Sequence, residues 1–137
     1  MSEPITRGTV CDALAPHLEA GESLLAWGSA TSGRKTLLVG MTDRRILLSE
    51  RKTGGEEKDF EALAIQDVAQ VRVTRGQPGG LLDGLVSRLF VRNLVLRTHG
   101  GRQMTLAFQN AAGLRGNRNV PDEMLANLAD RAPNLGR

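Results

Sequence analysis

Tyrosine is missing from this 137-residue chain, and its aromatic residues amount to three phenylalanines and one tryptophan. Proteins that grip single strands of nucleic acid stack bases on several aromatic rings, and such platforms are scarce here. Cysteine occurs once, at Cys11, which excludes an intramolecular disulfide and is compatible with a reducing cytoplasm. No run approaches the ~18 uninterrupted apolar residues of a membrane-spanning helix, and the opening MSEPITRG lacks the basic-then-apolar order of a secretory leader. The expectation is a cytoplasmic protein, with attachment to the inner face of the membrane as the alternative. Lysine is also rare: of 18 basic residues only three are Lys and 15 are Arg. The net charge of +3 is modest, and the basic residues are scattered from Arg7 to Arg137, which argues against nucleic acid as a partner.

What is present is ordinary globular composition, 40% hydrophobic and 24% charged, in a length that suits one domain. Residues 9–20, TVCDALAPHLEA, open with Thr9 and Asp12 in a capping-box-like spacing and place Val10, Leu14 and Leu18 on one helical stripe. Pro16 is expected to interrupt that helix and Gly21 to terminate it. From Leu24 to Gln109 seven short runs follow one another: SLLAWGSATS, KTLLVGMTD, RRILLSERK, EEKDFEALAI, VAQVRVTR, LFVRNLVLRTH and RQMTLAFQN. Turn residues at Ser32-Gly33, Thr42-Asp43, Gly54-Gly55 and Gly100-Gly101 separate most of them, so the pattern predicts an antiparallel meander. Met104, Leu106 and Phe108 alternate with Gln103, Thr105, Ala107 and Gln109, as in a half-buried strand. Near the end, VPDEMLANLADRA predicts a helix of about three turns, with Pro121 at its first position and an apolar stripe of Met124, Leu125, Leu128 and Ala129.

This order of elements resembles the bacterial pleckstrin-homology-like domains of the YokE-like type. The resemblance covers residues 18–130 and is carried by LEAGESLLAWGSAT, LLVGMTDRRILLSE, FEALAIQDVAQVRVTRG and LVLRTHGGRQMTLAF. Its most specific part is Thr42-Asp43-Arg44-Arg45 between apolar strands. The resemblance implies a mainly β fold with seven antiparallel strands in a barrel or two near-orthogonal sheets, a short N-terminal helix and a C-terminal capping helix. It brings no established catalytic residues. The expected organisation is an N-terminal helical segment over residues 1–21, the domain proper over 22–132 and a tail over 133–137. One departure stands out: an insertion, GQPGGLLDGLVSRLFVRN, between the fifth and sixth strands.

The stretch GSATSGRKT, from Gly28 to Thr36, nearly spells a phosphate-cradling nucleotide loop, but Arg34 intrudes between Gly33 and Lys35 and an apolar β-type run follows. It therefore predicts a hairpin turn, at which Ser32, Arg34 and Lys35 are candidates for holding an anion. At Asp43-Arg44-Arg45 a tight corner is expected, with the Thr42 and Asp43 side chains bonding to nearby backbone N–H groups and an Arg pairing the Asp. The acidic run Glu56 to Glu61 is expected to be a solvated strand face. His17, His99 and Cys11 lack metal-ligand spacing, so no metal or cofactor is expected; Cys11 is expected to pack as a small hydrophobe and His99 to occupy a turn. No nucleophile, base and orienting group come together in the sequence, so no enzyme is expected.

In the insertion, Leu81, Leu82, Leu85, Val86, Leu89 and Phe90 fall on one side of a helix opposite Asp83, Ser87 and Arg88. That segment is expected to pack on its own domain, with exposure of its apolar stripe to another subunit, a partner or a membrane interface as the alternatives. The expected function is a non-enzymatic binding or scaffolding module that docks a protein partner or a second copy of itself through residues 81–90 or an exposed strand edge. The alternative is peripheral membrane or phosphate-ligand binding through Ser32, Arg34 and Lys35.

Overall fold

The computed structural model describes residues 6–53, 55–75, 91–109 and 115–131. The seven apolar runs form seven strands: β1 (Leu24–Ser32), β2 (Lys35–Thr42), β3 (Arg45–Arg51), β4 (Glu57–Ala64), β5 (Val68–Arg75), β6 (Val91–Thr98) and β7 (Gln103–Gln109). They are antiparallel, in the order β4-β3-β2-β1-β7-β6-β5. β1 and β7 meet at one register pair, Thr31 with Ala107, whereas the other neighbours pair along most of their length. The sheet is thus a four-stranded and a three-stranded part joined at a narrow seam. Two helices accompany it among the described residues, α1 (Arg7–Leu14) and α2 (Val120–Arg131).

Strand alternation decides which residues enter the core. Ala26, Ala30, Val39, Met41, Ile46, Leu48, Val71, Leu94, Leu96, Leu106 and Phe108 project from both parts into one apolar cluster, which Val120, Met124 and Leu128 of α2 complete. Leu125 packs at its margin, as the predicted stripe requires. The opposite face of β2 and β3 is also covered: Leu38 and Leu47 meet Val10 and Leu14 of α1, with Leu18, Leu24, Trp27 and Phe60 around them. Both faces of β2 and β3 are therefore dry, which explains their near-continuous apolar runs. Burying each of these Val and Leu side chains contributes about 1.5–3 kcal/mol.

Local boundaries differ from the sequence expectation at both helices. Thr6, not Thr9, caps α1: it is extended, and its hydroxyl accepts from the Thr9 N–H at 3.1 Å. α1 ends at Leu14, and Ala15–His17 forms a 3-10 turn with Pro16 in its first positions, where the missing N–H costs nothing. Gly21, at φ +79°, does not terminate this helix but follows Leu18 in the separate turn that leads to Glu22. α2 begins one residue earlier than predicted, at Val120. The amphipathic segment expected at 76–90, with Leu81, Leu82, Leu85, Val86, Leu89 and Phe90, lies outside the described residues, as does the tail at 133–137.

Candidate anion-binding site

The corner between β2 and β3 is held by an acid that the corner itself does not contain. Thr42 accepts the N–H groups of Arg44 and Arg45 at 3.0 and 2.9 Å and donates its hydroxyl to Glu22 at 2.7 Å. Arg45 donates to both oxygens of Glu22, at 3.0 and 2.6 Å, and to the carbonyl of His17 at 2.9 Å. Glu22 has a fully buried side chain. Its carboxyl is lowered from an ordinary 4.5 to about 2, first by the Arg45 hydrogen bond, against the opposing effect of burial, and then by the Glu19 N–H and Thr42. Asp43, the acid expected to brace the corner, is exposed and lies 3.7 Å from Arg44 alone. A short Asp at the turn tip cannot reach inward, whereas Glu22 comes from the chain entering β1. These contacts are structural.

At the tip of the β1–β2 hairpin, Gly33 has φ +63° and Arg34 does not have a positive φ, the pattern of a II′ turn that a nucleotide loop does not adopt. Ser32 and Lys35 face each other across it. Strand pairing then brings β3 and β4 alongside: Thr36 is level with Arg51, and Arg51 with Glu57. The result is an open cleft of about 530 Å³ lined by Arg34, Lys35, Glu50, Arg51, Lys52, Thr53 and Lys58. Five cationic side chains and one carboxylate border it. Lys35, Lys52 and Lys58 are all the lysines in the chain. Among the described residues, Arg34 and Lys52 make no ion pair; Lys35 and Lys58 lie 3.7 and 3.4 Å from Glu50.

A second cleft of about 310 Å³ shares Lys35 and Glu50 with the first and is floored by Leu37, Leu48, Met104 and Leu106. Ser32 lines this second cleft, Arg34 the first, and Lys35 both. The three residues singled out in the sequence are therefore divided between adjoining spaces. Arg51, Lys52 and Lys58 were missed because they stand 16 or more positions from Lys35 and converge only through the register of β2, β3 and β4.

The acidic run is exposed from Glu56 to Asp59, as the sequence predicts, and two of its acids also find partners. Glu61 pairs with Arg102, which precedes β7. Glu57 takes hydrogen bonds from Ser49 and His17, each at 2.8 Å, while the His17 ring stacks on Phe60 at 3.7 Å. Burial pushes the Glu57 carboxyl up, and the Ser49 and His17 bonds with the Arg51 charge outweigh it, leaving a net lowering. This cluster anchors the turn after α1 to β3 and β4. His99 sits in the β6–β7 turn, Cys11 is half-buried on α1, and no group of three metal-ligating side chains forms among the described residues. No helix among them is long and apolar enough to cross a membrane.

Seven antiparallel strands with a short N-terminal and a C-terminal helix define a pleckstrin-homology-like fold. Solved structures share this arrangement. The chain is similar to the hSac2 domain from human phosphoinositide phosphatase Sac2, with a TM-score of 0.57 at 10% identity, over 98% of this chain and 88% of that one. It is also similar to the C-terminal domain of an unknown protein from Leishmania infantum, with a TM-score of 0.53 at 11% identity, over 89% of this chain and 96% of that one. At such identities the likeness concerns the fold alone. No family model and no curated protein matches the sequence.

Proposed function

We propose that this chain is a non-enzymatic binding module of the bacterial pleckstrin-homology-like type, and that its cationic cleft takes a phosphate-bearing anion. One observation carries the proposal: every lysine of an arginine-dominated chain lines a single cleft, beside Arg34 and Arg51. Lysine ammonium groups and arginine forks are the donors that phosphate oxygens require. An anion there relieves the mutual repulsion of five like charges that one carboxylate only partly offsets. The bacterial type is supported by Glu22, within LEAGESLLAWGSAT, which bonds Thr42 and Arg45 of the Thr42 to Arg45 turn and so joins two of the segments that carry the resemblance.

Acetylating the protein neutralises these three lysines and the terminal amine and leaves every arginine charged. Near an anionic surface each lysine contributes about 1 kcal/mol, so the loss expected on acetylation, or in the triple lysine-to-alanine variant, is on the order of 100-fold. Binding of soluble inorganic pyrophosphate, followed by calorimetry, and co-sedimentation with phosphatidylcholine vesicles with and without phosphatidylglycerol separate a free phosphate from a lipid headgroup. Both should weaken as salt rises. Undiminished binding after acetylation would overturn the proposal.

A second reading, partner docking or self-association, is favoured by β4 and β5 standing at the ends of the sheet order, each with one edge unpaired among the described strands. β4 carries Glu57, Lys58, Asp59 and Glu61, charges that oppose edge-to-edge pairing, which leaves β5 as the edge for a partner. Residues 81–90 remain the other proposed route.

A further inference from the structure

We propose that Glu50 is a built-in stand-in for the ligand: it holds an anion's place between Lys35 and Lys58 and thereby restricts the cleft to ligands carrying at least two negative charges. This inference rests on the anion-binding reading above. Glu50 is the one carboxylate lining the 530 Å³ cleft, and it also lines the adjoining 310 Å³ cleft, so it stands at their common boundary. Its Oε1 lies 3.7 Å from the Nζ of Lys35 on β2, and its Oε2 lies 3.4 Å from the Nζ of Lys58 on β4. One oxygen thus serves each neighbouring strand, as two oxygens of a bound phosphate would.

The pairs are made to be exchanged. Both distances exceed those of a direct charged hydrogen bond. The Glu50 side chain is 14% exposed, while those of Lys35 and Lys58 are 64% and 61% exposed. The acid is fixed in the wall and the cations are free to swing. Exposed pairs of this kind hold with at most about 1 kcal/mol each, so releasing the lysines costs little. The carboxylate is nevertheless tethered, and its effective concentration at the lysines is about millimolar or higher, so a monoanion of equal charge in dilute solution does not displace it. A phosphate dianion or pyrophosphate brings more charge than Glu50 and does. Asp59 stands directly opposite Glu50 on β4, and this like-charged cross-strand pair repels ligand charge that reaches past the lysines.

The test compares wild type with Glu50→Gln, which keeps size and polarity, and with Glu50→Asp, which keeps the charge. Calorimetric titrations use pyrophosphate, inorganic phosphate and acetate, with a thermal melt to show that each variant is folded. Glu50→Gln is expected to bind pyrophosphate about tenfold tighter and to gain acetate binding, so that discrimination against the monoanion shrinks, while Glu50→Asp retains it. Unchanged affinities and unchanged discrimination in Glu50→Gln, with acetylation still abolishing pyrophosphate binding, refute the role of Glu50 and leave the anion site standing. If neither wild type nor Glu50→Gln binds pyrophosphate, the anion site falls and this inference with it.

Discussion

Replacing Glu22 by glutamine should remove about 3 kcal/mol of stability at neutral pH, and the loss should vanish in acid. The carboxyl of Glu22 titrates near 2 in the fold against an ordinary 4.5. At 1.36 kcal/mol per pH unit that difference corresponds to about 3 kcal/mol. Because the folded value is depressed, the contribution is complete above the unfolded value of 4.5 and disappears as pH falls through the folded value near 2. Glutamine preserves the shape, so α1, the β2–β3 corner and the core remain assembled. It places an amide N–H₂ where one carboxylate oxygen accepted, facing an Arg45 N–H in either orientation, together with the Glu19 N–H at Oε1 or the Thr42 hydroxyl at Oε2. The assay is urea unfolding of wild type and Glu22→Gln at a series of pH values. Other carboxylates titrate alike in both proteins and cancel in the difference. The expected gap is about 3 kcal/mol at pH 7, about half of that midway through the window, and close to zero near pH 2. A gap below about 1 kcal/mol at pH 7, or one that does not change with pH, would refute the assignment of Glu22 as the charged centre of the corner.

Two further perturbations probe different parts of the molecule. In Gly28→Ala the new Cβ would stand 2.3 Å from Asn117 Oδ1 and 2.9 Å from Val120 Cγ2. Asn117, 1% exposed, ties Ser29 and Gln109 through three hydrogen bonds, so displacing it should cost about 3 kcal/mol in urea unfolding; a cost below about 1 kcal/mol would mean that Asn117 is dispensable. For the docking reading, Leu85→Asp should lower the molar mass seen by light scattering at high protein concentration. A wild type that is already monomeric and an unaltered variant would remove self-association through residues 81–90.

The strands were legible because their signal is local. Alternation such as Met104, Leu106 and Phe108 against Gln103, Thr105 and Gln109 needs no knowledge of partners, and it is reproduced residue by residue in β7. The helix start was displaced because two threonines three residues apart offer the same cap chemistry, and only the extended conformation of Thr6 chooses between them. At the corner the Thr42 bonds to the backbone and the Asp43–Arg44 pair were legible, but the acid that holds Arg45 was not, for a related reason. Thr42-Asp43-Arg44-Arg45 supplies an acid next to two bases, yet the acid that binds Arg45 is Glu22, 23 positions away and ahead of β1.

The cleft shows the same limit more sharply. Arg34 and Lys35 drew attention because they interrupt a familiar loop spelling, while Lys52 and Lys58 look like ordinary solvated charges when read along the chain. What makes them a site is register: Glu50 pairs with Asp59 and Arg51 with Glu57, and the irregularity between these two pairs leaves Lys58 beside Glu50. That register is set by apolar pairs elsewhere on the same strands, such as Ile46 opposite Leu63, and by the Glu22–Arg45 corner that starts β3. Electrostatics at the cleft is therefore a consequence of packing at the other end of the strands. Lysine scarcity was visible in the composition from the outset, and it acquires meaning only when the fold shows where the three lysines stand. Since the same strand also positions Glu50 between two of them, the geometry that collects positive charge installs the acid that rations it.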